Sequence, residues 1–319
     1  MKKIIKTTSA IVLAGIATAG AIMAPVVAQA ADERIVMISH APDSDSWWNT
    51  IKNAIKEAGD HVGSKVEYRN PPTGDLADMA RIVEQAVATN PDGIIVTIAD
   101  YDVLKGPLFK AKKKGIPVIT INSGTHQQSE DLGALLHVGQ PEYDAGYGAG
   151  KQAKKAGVTS FLCVNHYITN PASVERCKGF ADAIGVDLDG SMIDSQTDPT
   201  GIEKKVQAYL RKNPNTQAVL TLGPTSAHPT IRALDKMRLS GKIYFSTFDL
   251  SNEIAKAIKA GTINFAIDQQ PYLQGYIPVM ALTLYSRYGI IPSNNINSGP
   301  GFINKDNIEL VEKLAGEVR

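Results

Sequence analysis

The sequence predicts an α/β protein made of two doubly wound parallel-sheet lobes, and two observations predict it. Short apolar runs such as residues 93–98 and 116–121 alternate with longer segments whose apolar residues recur at helical spacing. Runs that are apolar throughout are typical of parallel strands covered by helices on both faces. One series of alternating strands and helices extends to residues 139–141, and a second series follows it, which indicates a second lobe of the same kind.

The first half of the chain alternates predicted strands with predicted helices. Its second helix has the clearest pattern, since Met79, Val83 and Val87 share one face. The predicted strands are residues 34–39, 65–68, 93–98, 116–121 and 135–138. The predicted helices are residues 47–58, 75–88, 101–114 and 142–155.

The second half repeats this alternation and adds a C-terminal tail of helical period. The predicted strands are residues 159–164, 191–193, 217–222, 242–247 and 264–268. The predicted helices are residues 172–184, 202–211, 226–239, 252–260 and 272–288, with the tail at 306–317. No low-complexity linker separates the halves, so we expect the chain to cross directly between two packed lobes.

Composition and charge exclude several classes of protein. The 319 residues are 43% apolar and 20% charged, as in globular proteins. Lys and Arg number 33 against 32 Asp and Glu, so no excess of positive charge is available for a nucleic-acid backbone. The six histidines lack metal-ligand spacing, and the sequence has no Gly-x-Ser-x-Gly motif and no phosphate-binding loop. We therefore expect no metal, no cofactor and no nucleic-acid partner.

A glycine-rich segment, Gly146, Gly148 and Gly150, has part of the spacing of a dinucleotide-binding motif. That motif lies between a strand and a helix, whereas these glycines lie inside a predicted helix. The segment therefore predicts close packing against a neighbouring helix instead.

The first thirty residues have the pattern of a secretory signal peptide. Three lysines precede an apolar run over residues 11–27, and residues 28–30 (Ala-Gln-Ala) fit a cleavage site. We expect cleavage after Ala30 and export to the periplasm, which leaves 319 − 30 = 289 residues, the size of about two domains. The alternative is an uncleaved N-terminal membrane anchor.

The two cysteines, Cys163 and Cys177, would then lie in an oxidising compartment. Cys163 lies near the end of a predicted strand and Cys177 in the next predicted helix. A disulfide requires their Cα atoms to lie within about 7 Å. The sequence leaves both alternatives open, a bridge or two buried free thiols.

The residues that follow each strand indicate the kind of ligand, because doubly wound sheets bind ligands outside the carboxyl ends of their strands. These segments are residues 40–48, 99–102, 122–125, 165–176, 197–198, 223–226, 248–251 and 268–270. They are polar and aromatic and contain few cations. This composition favours a neutral, hydroxyl-rich small molecule over a phosphate or a polyanion.

Several short motifs, each weak alone, are jointly specific. They are SWW at 46–48, GIIV at 93–96, KGIPVI at 114–119, ERCKGF at 175–180, FD at 248–249 and AIDQQP at 266–271. Over nearly all of the chain after residue 30, the sequence resembles the type I periplasmic sugar-binding proteins of ABC importers, of the ribose-binding kind.

The resemblance implies two α/β lobes joined by a multi-strand hinge, with a sugar or polyol held between them. After a signal peptide at 1–30, it places the N-terminal lobe at 31–139 and 270–302, and the C-terminal lobe at 140–269 and 303–319. It implies a monomer without enzymatic activity that delivers its sugar to an ABC importer permease. A chemoreceptor is a further partner that the family suggests.

Five candidate ligand contacts follow from the resemblance. It places Trp47 and Trp48 against the sugar ring and adds Arg176, Asp249 and Gln269 as polar contacts. The chemistry fits, since sugar C–H faces pack on aromatic rings and a guanidinium or carboxylate can bond two adjacent hydroxyls. Because the two tryptophans are adjacent at a helix start, we expect one to line the cleft and the other to pack inside its lobe.

Three segments depart from the family pattern and leave the particular sugar open. Residues 122–123 are Asn-Ser where the family often has Asp-Arg, and residues 223–224 are Gly-Pro where an Asn is common. Residues 45–48 are Asp-Ser-Trp-Trp where Asn-Pro-Phe-Phe is common. Asn122 remains a candidate contact. The candidates at the edge of the cleft are Asp45, Thr225, His40 and His166.

Other roles and other functions remain open at this stage. Asp249 could cap a helix, Asn122 could occupy a turn, and Arg176 could pair with Glu175 or a surface acid. The alternative functions are a secreted receptor for a furanosyl signal molecule and an exported sugar-acting α/β enzyme. An enzyme would need an acid–base pair, and neither Asp249 nor Asp268 has an evident partner base in the sequence.

Overall fold

The computed structural model describes residues 32–319, which form two six-stranded sheets covered by helices. The predicted signal peptide and its cleavage point lie outside the described residues. Within residues 32–319, no helix is both long enough and apolar enough to cross a membrane. The predicted fold class, two doubly wound parallel-sheet lobes, is confirmed.

The first sheet is parallel throughout, with strand order β11-β5-β4-β3-β1-β2. Its strands are β1 (Arg34–Ile38), β2 (Lys65–Arg69), β3 (Gly93–Val96), β4 (Val118–Ile121), β5 (Leu136–Gly139) and β11 (Ile296–Asn297). Its helices are α1 (Trp48–Val62), α2 (Leu76–Ala88), α3 (Tyr101–Lys113), α4 (His126–Leu132) and α10 (Pro271–Tyr288). The short helix α4 was not predicted, because it carries too few apolar residues to show a helical period.

The second sheet has the order β12-β10-β9-β8-β6-β7 and is parallel except for its edge strand β12. Its strands are β6 (Phe161–Asn165), β7 (Met192–Asp194), β8 (Ala218–Thr221), β9 (Tyr244–Phe248), β10 (Phe265–Asp268) and β12 (Gly301–Asn304). Its helices are α5 (Glu142–Lys155), α6 (Pro171–Ile184), α7 (Pro199–Lys212), α8 (Pro224–Lys236) and α9 (Asn252–Ala260).

Both faces of each sheet are buried, as the continuously apolar strands predict. On β1, Ile35 and Met37 belong to one apolar cluster, and Val36 and Ile38 belong to another on the opposite face. Successive side chains of a strand point to opposite faces, so a strand covered on both sides must be apolar at every position.

Helix starts follow from capping residues in the sequence. Asp75, Asp100 and Ser251 accept hydrogen bonds from backbone N–H groups at the starts of α2, α3 and α9. These caps fix where each helix begins after its strand, and therefore which loop residues face the space between the sheets.

The chain passes between the two sheets three times, after β5, after β10 and between β11 and β12. The third passage differs from the boundary expected after residue 302. Gly301 already pairs with Asp268 in the second sheet, so the passage occupies residues 298–300. The tail also differs from the expected helix at 306–317. It forms two 3₁₀ turns, Ile308–Leu310 and Glu312–Leu314. Ile308 and Val311 are both buried, since residues three positions apart share one face of a 3₁₀ helix.

Cys163 and Cys177 form a disulfide that joins β6 to α6, with Cα atoms 5.9 Å apart. Both cysteines are fully buried between the helix and the sheet. This settles the alternatives that the sequence left open. The predicted close helix packing at the glycine-rich segment is also present, because a Cβ on Gly146 of α5 would clash with the Arg176 carbonyl oxygen of α6.

Candidate ligand-binding site

The candidate site is a cavity between the two sheets, at the carboxyl ends of their strands, and we name it the central cavity. It has about 440 Å³ of space free of protein atoms, a volume that includes its opening to solvent. All eight residues predicted as ligand contacts line it: Asp45, Trp47, Trp48, Asn122, Arg176, Thr225, Asp249 and Gln269. His40 and His166 line it as well. The structure therefore brings together residues that span more than two hundred positions of the sequence.

Trp47 and Trp48 form an aromatic wall on the first-sheet side. Trp48 begins α1 and Trp47 precedes it, and their ring centroids lie 5.2 Å apart at an interplanar angle of 80°. The expectation that only one of them would line the cleft is wrong, because both border the cavity and both are buried. Edge-to-face packing lets two adjacent rings share one surface. The indole nitrogen Nε1 of Trp47 is buried and finds no acceptor within residues 32–319.

Asp249 lies directly after β9 on the opposite side of the cavity. Its backbone φ of 65° is in the left-handed region, which is uncommon for a residue other than glycine and occurs often at functional sites. The alternative role as a helix cap is not observed, since Ser251 caps α9. Gln269 donates a hydrogen bond from Nε2 to Oδ1 of Asp249 over 2.6 Å. Burial raises the pKa of Asp249 to about 7, against the opposing effect of the Arg176 guanidinium.

Arg176 is fixed in place by a buried ion pair with Glu142. Its Nε and Nη2 donate to the two carboxylate oxygens of Glu142 over 2.6 and 2.7 Å, and its Nη1 donates to the Leu222 carbonyl oxygen over 3.0 Å. Burial by itself would lower the pKa of Arg176, but the Glu142 carboxylate outweighs this effect and raises it. The three bonds use three of the five N–H groups of a guanidinium, so two remain for a ligand.

Asn122 and Gln269 belong to an amide network at the passages between the sheets. Asn122, with φ of 60°, donates from Nδ2 to the Oε1 atoms of Gln269 and Gln274 over 3.1 and 3.2 Å. Gln274 in turn donates to the Ser298 hydroxyl over 2.9 Å. Asn122 therefore has a role beyond that of a turn residue, because its side chain joins the first sheet to the chain segments that cross to the second.

Side chains from the two sheets contact each other around the cavity. Asn170, the cap of α6, donates from Nδ2 to the Ser123 hydroxyl over 2.9 Å. The rings of His40 and Tyr167 meet edge to face, with centroids 5.3 Å apart. These contacts join the two sheets beside the central cavity, so a ligand there would lie between residues of both sheets.

His40 and His166 are neutral at physiological pH. Burial, the larger cause, and the positive charge of Arg176 together lower the pKa of His40 to about 4 and that of His166 to about 3. The Nδ1 of His40 lies 3.0 Å from the Thr97 hydroxyl, whereas the buried Nδ1 of His166 has no partner within the described chain. A neutral imidazole offers one donor and one acceptor, which suits a hydroxyl.

Asp45 and Thr225 lie at the edge of the cavity, where the sequence placed them. Asp45 is partly exposed and accepts a hydrogen bond from the backbone N–H of Trp47 over 3.2 Å. Burial raises its pKa to about 6. Thr225 lies in the first turn of α8, after residues 223–224 (Gly-Pro).

Three residues of the site were not singled out in the sequence. Tyr167 and Asn170 lie in the loop between β6 and α6, which was expected to face the ligand, but no motif marked them individually. Glu142 gave no signal, because its partner Arg176 is far along the chain and in another helix. Glu142 becomes a candidate partner of Arg176 only once it is known that α5 packs against α6.

The chemical groups that line the site suit a small neutral molecule with several hydroxyl groups. It combines aromatic faces, neutral amides and imidazoles, and one guanidinium balanced by carboxylates. Across the part of the chain that the structure covers, no cluster of three or more His, Cys, Asp or Glu side chains could hold a metal ion.

Comparison with known proteins agrees with this architecture. Residues 35–289 match the family model described as a periplasmic binding protein domain. The chain belongs to this family. The resemblance deduced from the sequence motifs is therefore confirmed at the level of the family.

Two curated relatives match most of this periplasmic binding protein. The xylose/arabinose-binding protein XylF of Sulfolobus acidocaldarius is 24% identical over 292 residues, which cover 86% of this chain and 72% of that protein. The ribose import binding protein RbsB of Haemophilus influenzae is 23% identical over 287 residues, which cover 88% and 92%.

Solved structures show the same fold. A carbohydrate transporter from Acidothermus cellulolyticus, in complex with myo-inositol, is 30% identical with a TM-score of 0.82, covering 90% of this chain and 99% of that one. A chain of the XylFII–LytSN complex is 24% identical with a TM-score of 0.77, covering 86% and 99%. The second likeness concerns the fold alone.

Proposed function

We propose that this protein is the solute-binding component of an ABC importer and captures a neutral sugar or cyclic polyol in the central cavity. The observation that carries the proposal is the central cavity, in which an aromatic wall from one sheet faces Asp249 and Arg176 from the other. Relatives named for ribose and for xylose and arabinose, and a structural neighbour in complex with myo-inositol, support this class of ligand.

The two sides of the cavity would bind different parts of the sugar. The ring faces of Trp47 and Trp48 pack against the C–H face of the sugar, and the indole N–H of Trp47 donates to a ring or hydroxyl oxygen. Asp249 accepts from two neighbouring hydroxyls, and the two remaining N–H groups of Arg176 donate to hydroxyl oxygens. Each sugar hydroxyl can both donate and accept, so mixed partners satisfy it.

Ligand capture would depend on movement about the three passages between the sheets. A ligand that contacts both sheets favours the closed arrangement, because only there can it make both sets of contacts. The closed form would then dock on the importer permease, with a chemoreceptor as a second partner of the same shape. The protein would act as an exported periplasmic monomer and release its sugar unchanged.

Titration calorimetry of the protein with monosaccharides and polyols tests the proposal. The panel includes D-ribose, D-xylose, L-arabinose, D-galactose and myo-inositol, and we expect at least one Kd of about 1 μM or below, near −8 kcal/mol. Product analysis by chromatography after long incubation tests for turnover. Absence of binding across the panel contradicts the proposal, and so does the appearance of a product.

A further inference from the structure

A second cavity borders the central one and opens to solvent, and we name it the rim cavity. We propose that the rim cavity binds a second unit attached to the sugar in the central cavity, so that the natural ligand is a disaccharide or another neutral glycoside. The inference rests on the proposed function, because it requires a sugar ring in the central cavity.

The two cavities share part of their lining. Asp45, Tyr167, Pro224 and Thr225 border both of them. A ring in the central cavity would therefore have a substituent path into the rim cavity past these residues. The rim cavity has about 870 Å³ of free space, including its open mouth, which is ample for a second ring.

The rim cavity is also formed from both sheets. Pro42 and Ser44 come from the loop that follows β1, and Thr197 and Arg232 come from the second-sheet side. A second unit bound there would contact both sides and would add to the stability of the closed form.

The lining of the rim cavity suits a neutral ring. It contains four prolines: Pro42, Pro199, Pro224 and Pro229. Their rigid apolar rings present C–H surfaces that pack against a sugar or aryl face. Its one arginine, Arg232, lies 3.7 Å from Glu203. His228 lies 3.7 Å from Glu253, and burial lowers the pKa of its imidazole, which favours the neutral form. The rim cavity therefore has no unpaired positive charge to select a phosphate or a carboxylate, and the carboxyl of Asp45 in its lining disfavours an anion further.

A buried polar group lies where the two cavities meet. The hydroxyl of Tyr167 is buried and has no hydrogen-bond partner anywhere in residues 32–319. Burial raises the pKa of Tyr167, so its phenol keeps its proton and can donate. An unpaired buried hydroxyl is costly, and a glycosidic oxygen at the junction would satisfy it.

Matched pairs of ligands test this inference by calorimetry. Each free sugar of the panel is compared with a glycoside of the same sugar: xylobiose for D-xylose, galactinol for myo-inositol, and phenyl glycosides for D-ribose, L-arabinose and D-galactose. For at least one pair we expect the glycoside to bind as tightly as the free sugar, or about tenfold more tightly through the added apolar contact.

A variant that fills the rim cavity separates the two sites. Thr197 is exposed and lines the rim cavity but not the central cavity. We expect Thr197→Trp to weaken glycoside binding by about tenfold or more and to leave free-sugar binding within about twofold. Thr200→Trp is the matched control, because Thr200 is exposed nearby and lines neither cavity.

Each outcome has one meaning. If free sugars bind and every glycoside in the set binds more weakly than its own free sugar, the inference is overturned. It is also overturned if a glycoside binds and Thr197→Trp affects it no more than Thr200→Trp does. If no compound binds at all, the proposed function fails first and the inference fails with it.

Discussion

The two sides of the central cavity differ in chemistry. The first-sheet side contributes the rings of Trp47 and Trp48, whereas the second-sheet side contributes the guanidinium of Arg176 and the carboxyl of Asp249. The aromatic side can recognise that a ligand has an apolar ring face, but it can fix few hydroxyl positions. The charged side is held by hydrogen bonds to Glu142 and Gln269 and can fix them. From this difference we expect that sugar affinity needs both sides of the cavity, and that the choice among sugars depends mainly on the second-sheet side.

The largest expected effect on affinity comes from neutralising the charged side. In Asp249→Asn the left-handed backbone is retained, since Asn tolerates positive φ, but the negative acceptor is lost. We expect the affinity for the best sugar of the panel to fall by about 100-fold or more, because hydrogen bonds to a charged group contribute about 1.5–3 kcal/mol each. Calorimetry measures the loss.

Asp100→Asn is the matched control for this variant. Asp100 caps α3 and lies outside the lining of the central cavity, and Asn is an equally good cap. Its affinity should equal that of the unmodified protein. If Asp249→Asn binds as tightly as this control, Asp249 does not contact the sugar.

The second expected effect is a fall in affinity at acidic pH. The pKa of Asp249 is raised to about 7 by burial, and a sugar that donates to the ionised carboxylate would lower it in the complex. Binding therefore releases a proton below pH 7 and weakens as pH falls. We expect a loss of roughly 10- to 100-fold between pH 8 and pH 5.

Calorimetry in buffers of different ionisation enthalpy measures this proton release directly. The same titrations of Asp249→Asn should show a much weaker pH dependence between pH 8 and pH 5. What remains is expected from Asp45, which also lines the central cavity and whose pKa burial raises to about 6. His40 and His166 should not contribute, because their lowered pKa values keep them neutral over this range. Proton uptake on binding would show that the sugar prefers the neutral carboxyl.

Removing one donor from the aromatic side should have a smaller effect. Trp47→Phe keeps an aromatic ring but loses the buried, unpaired Nε1–H. We expect about a tenfold loss of affinity, since one neutral hydrogen bond contributes about 1 kcal/mol and some ring area is lost too. The melting temperature serves as the control, because an altered fold would shift it strongly. An unchanged affinity would remove Trp47 from the list of donors.

The disulfide should matter for stability and hardly for affinity. Cys163 and Cys177 lie on the second-sheet side but do not line the central cavity. We expect the double replacement Cys163→Ala, Cys177→Ala to lower the free energy of unfolding by about 2–4 kcal/mol. Its sugar affinity should stay within about twofold of the unmodified protein. A large loss of affinity in a protein that is still folded would mean that the bridge positions Arg176.

Much of the fold could be predicted, because continuous apolar runs in the sequence indicate strands that are buried on both faces of a sheet. The ends of those strands then located Asp249 and Asn122 at the site. The edge strand β12 and the two 3₁₀ turns of the tail could not be located. Their residues are few, and their pairing with β10 and α9 depends on tertiary contacts.

The partner of Arg176 could not be predicted for a related reason. Glu142 reaches Arg176 because α5 and α6 pack closely, with Gly146 and Gly179 leaving room for the neighbouring backbone. The glycine spacing predicted a close helix contact, but it did not say which helix would be the neighbour. The orientation of the two tryptophans was misjudged because edge-to-face packing of adjacent rings depends on the backbone just before α1.

The most direct test of the account is a crystal structure of the protein with the tightest-binding sugar of the panel. The account predicts electron density for a sugar ring in the central cavity, stacked on Trp47 or Trp48 and bonded through its hydroxyls to Asp249 and Arg176. A sugar bound elsewhere on the protein, or bound to one sheet only with the two sheets apart, would contradict it.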